Sequence, residues 1–186
     1  IGYEAFSSSY ELETVMMPAA LQDIGDYAFY GCDKVPSVPI PRATEEISAT
    51  AFLGCSSLKA FSVEAGNTAF TVSNSVLYSI DKTTLVLCPP AIRSIVQIPS
   101  SVTAIGAYAF ANYANAATVQ FPTGYVMLGE NAFINCIEPY GALRSGLYYI
   151  DEQGVFYWIC GDRAYCMATP PNATDIQLLS KTPEIL

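Results

Sequence analysis

The block IGDYAFYGC, Ile24 to Cys32, recurs along the chain, and that recurrence limits the possible folds more than any other feature. IGYEAF begins at Ile1, ISATAFLGC at Ile47, IGAYAF at Ile105 and LGENAFINC at Leu128. Three of the four intervals are 23 residues, and the fourth, Ile47 to Ile105, is 58. A fixed period in this range is the signature of stacked supersecondary units. One such unit cannot bury its apolar side alone, so the chain must form a solenoid in which each repeat covers the next.

In register the unit reads I-G-x-x-A-F-x-x-C-x-x-L-x-x-V-x-I-P. Ile24, Ala28, Phe29 and Cys32 fall at offsets 0, 4, 5 and 8. At about 100° per residue these positions share one face of a short helical turn. Gly2, Gly25 and Gly106 follow the leading Ile, where the chain leaves an extended segment sharply. The period then changes. Val15 and Met17, Val38 and Ile40, Phe61 and Val63, and Val119 and Phe121 alternate as a strand does. Pro18, Pro41, Pro99 and Pro122 close those strands, because proline has no N–H for a ladder. Stacking puts Phe6, Phe29, Phe52, Phe110 and Phe133 into one column, expected to be a continuous core. The fold class is therefore an α/β, β-rich solenoid of 23-residue repeats, parallel strands and short helical turns.

The long interval contains a second kind of unit. Phe70, Ser75–Tyr78, Thr84–Leu87 and Pro89-Pro90 read as a hairpin turning at Asp81–Thr84, after which Val96-Gln97-Ile98-Pro99 resumes the ordinary strand. Tyr149, Gly154–Tyr157, Pro170-Pro171 and Ile176–Leu178 repeat that plan, with a turn at Gly161-Asp162. The whole of 1–186 reads as one solenoid, with repeats starting near 1, 24, 47, 105 and 128. Hairpin-type insertions span about 65–98 and 146–178. The start at Ile1 and the end at a repeat boundary read as a fragment of a longer chain.

The chemistry available is narrow. With no histidine, the Ser–His and Cys–His nucleophile pairs and the commonest metal ligand are missing. No phosphate-cradling glycine motif occurs, and Cys160 and Cys166 lack metal or redox spacing. Glu45-Glu46 and Asp151-Glu152 could form carboxylate pairs for glycoside chemistry, but they sit at expected turns, where charges are solvated. No catalytic residue, metal ligand or cofactor site is therefore assigned. A net charge of −9 disfavours nucleic acid and anionic lipid as partners. No apolar run reaches the roughly 18 residues of a membrane-spanning helix. Cys32, Cys55 and Cys136 fall in the repeat column as buried thiols; a Cys32–Cys55 disulfide is the competing reading. Cys160 and Cys166 flank the second hairpin turn, and counting outward from it places Cys166 opposite Tyr157.

The IG-x-x-AF-x-x-C blocks, the V-x-I-P strand ends and the segment SVLYSIDKTTLVLCPP together resemble the BspA-like, or treponemal-type, leucine-rich repeats. Ser9 and Tyr113 replace the column Cys, and Glu64 replaces the Pro. The resemblance implies a right-handed leucine-rich-repeat superhelix in a secreted or surface-anchored bacterial protein, without its signal peptide in this segment. It implies binding to other proteins or host surfaces, and no enzyme activity.

The expected role is an extracellular recognition or adhesion module for a protein ligand such as a host extracellular protein. Outward positions on the strands form two uncharged columns: Thr14, Ser37, Ala60, Ile95 and Thr118, then Met16, Pro39, Ser62, Gln97 and Gln120. Asp23, Asp26 and Asp33 are expected on the turns instead. Crowding inside a curved sheet explains small residues in the columns equally well. The alternative surface is the aromatic patch Tyr148, Tyr149, Tyr157, Trp158 and Tyr165, suited to stacking on a glycan or to covering the end of the stack. A passive spacer in a larger surface protein is the third reading.

Overall fold

A computed structural model of the chain describes residues 1–113, 119–136, 143–160 and 163–169. Its strands are β1 (Asp23–Ile24), β2 (Ser37–Ile40), β3 (Glu46–Ile47), β4 (Ala60–Val63), β5 (Phe70–Ser73), β6 (Val76–Ser79) and β7 (Thr84–Leu87). There follow β8 (Val96–Gln97), β9 (Ala104–Ile105), β10 (Val119–Gln120), β11 (Gly124–Leu128), β12 (Gly146–Ile150), β13 (Phe156–Cys160) and β14 (Arg163–Ala168). Repeats pair in parallel: β1 with β3, β2 with β4, and β8 with β10. The largest sheet runs β14-β13-β12-β11-β9-β7-β6-β5 and mixes parallel rungs with two antiparallel hairpin systems. The architecture is a β-solenoid.

The helical turns expected at the AF blocks are absent; no described residue is helical. Ile24, Ala28, Phe29 and Cys32 are nevertheless all buried, so the spacing located the core face and mistook the backbone. The cause is a pair of left-handed residues four apart in most of these blocks, while the Ile47 block has the second alone, at Gly54. Tyr27 (φ 54°) and Gly31 (φ 67°) are such a pair, as are Tyr108 (54°) and Asn112 (59°), and Asn131 (51°) and Asn135 (58°). Each break converts a would-be helix into two successive turns, closed by Tyr30 N–H to Tyr27 O at 2.9 Å and Cys32 N–H to Phe29 O at 3.1 Å. The alternate amides leave the repeat altogether. Phe29 N–H donates to Ala51 O at 2.8 Å and Gly31 N–H to Leu53 O at 2.9 Å; Phe110 and Asn112 donate likewise to Ala132 and Ile134. The turns therefore stack through a backbone ladder, as strands do.

That stacking also revises the reason for the glycines after the leading Ile. Gly2, Gly25, Gly106 and Gly129 are not among the residues with positive φ. What Gly25, Gly106 and Gly129 supply is room, whereas Gly2 has nothing within 4 Å of its Cβ position. A Cβ on Gly25 would lie 3.1 Å from Ile1 O, and one on Gly129 would lie 2.7 Å from the carbonyl carbon of Gly106.

The expected continuous Phe column is two stacks. Phe6, Phe29 and Phe52 lie nearly parallel at 5.2 and 5.3 Å, and Phe110 and Phe133 at 5.0 Å. Between them stands the first insertion. Leu77, Leu87 and Phe70 join one core cluster, whereas Val76, Tyr78, Leu85 and Cys88 join the other. β6 and β7 thus wedge between two cores with both faces buried. That explains their unbroken apolar run.

A buried amide fixes the wedge to the repeats before it. Asn67, 7% exposed, donates through Nδ2 to Pro41 O (2.8 Å) and Thr44 O (2.9 Å). Its Oδ1 accepts from the N–H groups of Ala69 (2.9 Å) and Phe70 (2.7 Å). Both hydrogen-bonding functions of the side chain are used, and the start of β5 is set by them.

Candidate recognition surface

The outward positions are set by the strand register. Ser37 lies opposite Ala60 and Pro39 opposite Ser62, while Val38, Phe61 and Ile40 point into the core. Gln97 lies opposite Gln120, above buried Val96 and Val119. Ser37, Ser62, Gln97 and Gln120 are exposed; Pro39 and Ala60 are half-buried. Ile95 is 60% exposed just before β8.

These residues form two patches, not two unbroken columns. β4 does not pair with β8: the N–H of Phe61 points away from β2 to Ser75 O at 3.2 Å, so the turn of the β5–β6 hairpin occupies the next rung. Thr14 and Met16 sit at the upstream margin of the first patch, both exposed, Met16 by 90%. Val15 and Met17 still pack inward, but their segment is not a strand. The register supplies a reason. In the β2–β4 pair the amides of Ala60 and Ser62 face upstream, and Glu64 N–H continues the series to Ile40 O at 2.9 Å. The β2 counterpart of Ser62 is Pro39, and that of Glu64 is Pro41, so β2 lacks two of its upstream donors. Thr118 lies outside the described residues.

Asp26 and Asp33 lie in the turns, as expected. Asp33 accepts from Ser56 Oγ at 3.1 Å; Asp26 accepts from Thr50 Oγ1 at 3.1 Å and from Ser48 Oγ. Asp23, expected on a turn, instead opens β1. Lys34 and Glu11 form an exposed ion pair at 2.6 Å.

The aromatic patch divides. Tyr148 and Tyr157 are core residues, 1% and 3% exposed, and Tyr157 Oη donates to Asp151 Oδ2 at 3.2 Å. Tyr149 is half-buried, edge-on to Tyr125 at 5.2 Å. Trp158 and Tyr165 are exposed cross-strand partners with ring centroids 5.9 Å apart. Tyr148 and Tyr157 are both buried because β12 and β13 have an apolar cluster on each face, the second made of Val155, Tyr157 and Ile159, whereas Trp158 and Tyr165 share the face of Tyr148 but lie outside its core cluster. Asp151 is not the solvated turn residue expected from its neighbours. It is buried and accepts through Oδ1 from the N–H groups of Gln153 and Val155, both at 2.9 Å. Such a carboxylate closes a turn.

The column thiols do more than fill space. Cys32, Cys55 and Cys136 each donate Sγ–H to the carbonyl of the Phe one repeat earlier: Phe6, Phe29 and Phe110, at 3.1, 3.1 and 3.0 Å. All six cysteines are free. Burial pushes the Cys55 thiol up to about 12 and that of Cys136 to about 11, and raises those of Cys32 and Cys88. These are unreactive thiols. Cys166 does lie opposite Tyr157, while Cys160 pairs with Arg163. Among the described residues no cluster of His, Cys, Asp or Glu could hold a metal ion, and no helix is long and apolar enough to cross a membrane.

Stacked turn-and-strand repeats with outward-facing side chains on short parallel ladders define a repeat solenoid. The chain belongs to the BspA-type leucine-rich-repeat family, whose model matches it in six copies over residues 1–97 and 79–159. A leucine-rich-repeat protein from Eubacterium ventriosum is similar at 29% identity and TM-score 0.56, over 63% of this chain and 32% of that one. A leucine-rich cell-surface protein from Faecalibacterium prausnitzii shares the fold at 22% identity and TM-score 0.52, over 73% and 42%. This chain thus spans less than half the length of either. No curated protein matches its sequence.

Proposed function

We propose that the chain is a non-enzymatic recognition or adhesion module of an extracellular or cell-surface bacterial protein, binding a protein ligand across its strand faces. The observation that carries this reading is the outward register itself. Ser37, Ala60, Ser62, Gln97 and Gln120 present an uncharged surface on a chain of net charge −9, flanked by the exposed apolar side chains of Met16 and Ile95. Depletion of charge with apolar anchors at the margin suits the centre of a protein–protein interface better than an ionic small-molecule site. The cell-surface description of the Faecalibacterium protein supports the location.

A second reading rests on Trp158 and Tyr165, whose exposed rings could stack on a glycan. It is weaker than the five-residue aromatic cluster would have made it, because two of the five are core. The test is a pull-down against host extracellular proteins with Ser37→Arg/Ser62→Arg and Trp158→Ala/Tyr165→Ala chains alongside the unmodified one. Loss of the bound protein with the first pair alone supports the strand face. Loss with the second pair alone places the site at the C-terminal hairpins.

A further inference from the structure

The first insertion leaves a gap in the turn stack, on a different side of the molecule's repeats from the strand patches. In an ordinary rung the chain travels from the leading Ile through the first turn to the column Phe, as from Ile24 to Phe29. In the insertion, Leu85 holds the leading position, since it pairs with Ile105. Cys88, only three residues on, already holds the Phe position: its N–H donates to Ala109 O at 2.8 Å, as Phe29 N–H does to Ala51 O. The outward turn is missing from this rung. Pro90 then stands where Gly31 and Asn112 offer a ladder N–H, and offers none.

A cleft of about 600 Å³ opens at the missing rung, with Tyr30 and Ser56 on one side and Tyr108, Asn112 and Asn135 on the other. That is within the usual size of small-ligand sites, about 300–1,000 Å³. No lining side chain is charged. The two asparagines are joined, Asn135 Nδ2 donating to Asn112 Oδ1 at 3.0 Å. This leaves Asn112 Nδ2 as a donor and Asn135 Oδ1 as an acceptor, side by side. Tyr108 Oη accepts from Asn131 Nδ2 at 3.0 Å, which helps to fix its ring. Tyr30 is 45% exposed.

We propose that this cleft binds a neutral saccharide. Vicinal hydroxyls, each both donor and acceptor, match the amide pair, and the C–H face of a pyranose matches the tyrosine rings. An ionic ligand would find no counter-charge in the lining and would lie in the field of a chain of net charge −9. The site is independent of the strand patches and of Trp158.

The full chain is screened against an array of neutral mono- to tetrasaccharides ending in glucose, galactose, mannose or N-acetylglucosamine, beside uronic- and sialic-acid controls. The best neutral hit is then titrated calorimetrically. Tyr30→Ala and Asn112→Gly should each weaken it by about ten-fold or more, and Trp158→Ala should leave it unchanged. Asn112→Gly leaves the backbone at ease, because Gly31 (φ 67°) and Gly54 (φ 78°) hold the same rung position; it decides the matter if Tyr30→Ala fails to fold. Binding of acidic glycans only, of none, or binding that survives Asn112→Gly or is lost with Trp158→Ala overturns the proposal.

Discussion

Replacing Asn67 by alanine removes four hydrogen bonds, two that hold the first insertion to the preceding repeats and two that set the start of β5. The cost can be worked from the partners. Ala69 N–H and Phe70 N–H lose their acceptor at a site only 7% exposed, and an orphaned buried polar group costs about 1–3 kcal/mol. Pro41 O still accepts from Thr44 N–H at 3.2 Å, so the donor side loses less. The sum is about 3–5 kcal/mol. The loss should also be local at first, freeing β5 before the turn stacks. Urea unfolding gives the total, and amide hydrogen exchange at Ala69 and Phe70 gives the location. A loss under about 1 kcal/mol, or unchanged exchange at those two amides, would refute the claim that Asn67 fixes the insertion.

Further outcomes follow from the same geometry. Phe29→Ala, between two stacked rings, should cost about 3–5 kcal/mol, and Phe6→Ala, 43% exposed with one stacked neighbour, clearly less; equal losses would contradict a stacked array. Gly129→Ala should cost at least about 1–3 kcal/mol by clashing with the rung before it, whereas Gly2→Ala, with nothing within 4 Å, should be near neutral in the same melts. The raised thiols make stability fall with alkali. A thiol whose folded value lies above its unfolded value of about 8.5 contributes its full share below that pH and loses it as pH rises towards the folded value. For Cys55 that window ends at about 12 and for Cys136 at about 11, each contributing a slope of about 1.4 kcal/mol per pH unit within it. Denaturation at pH 8, 9.5 and 11 should show the decline, shallower in Cys55→Ser; identical slopes would remove the thiols from the account.

The repeat length and the inward positions of the ordinary rungs, such as Ile24, Ala28, Phe29, Val38 and Phe61, were legible, because each depends on spacing alone. Backbone conformation in the AF blocks was not. Its signal lay in Gly31, Gly54, Asn112, Asn131 and Asn135, residue types that tolerate left-handed φ, but Tyr27 and Tyr108 occupy equivalent positions and carry no such mark. The uncharged outward positions were readable one strand at a time. Their division into two patches was not, since it depends on where the Asn74–Ser75 turn lands after folding. Pro39 was a readable sign that the ladder would stop at β2. The buried roles of Asp151 and Asn67 left no trace in spacing, because each binds backbone groups brought close only by the turn or insertion it helps to fix.

The claim that protein recognition runs across the strand faces is tested most directly by titrating a captured extracellular partner against paired arginine variants. Ser37→Arg/Ser62→Arg should abolish or severely weaken binding while leaving the melting temperature within a degree or two, since exposed sites away from packing usually shift stability by less than about 0.5 kcal/mol. Gln97→Arg/Gln120→Arg should do the same if the ligand bridges both patches. Full affinity retained by both double variants, with binding lost on Trp158→Ala/Tyr165→Ala, would contradict the assignment and move recognition to the C-terminal hairpins.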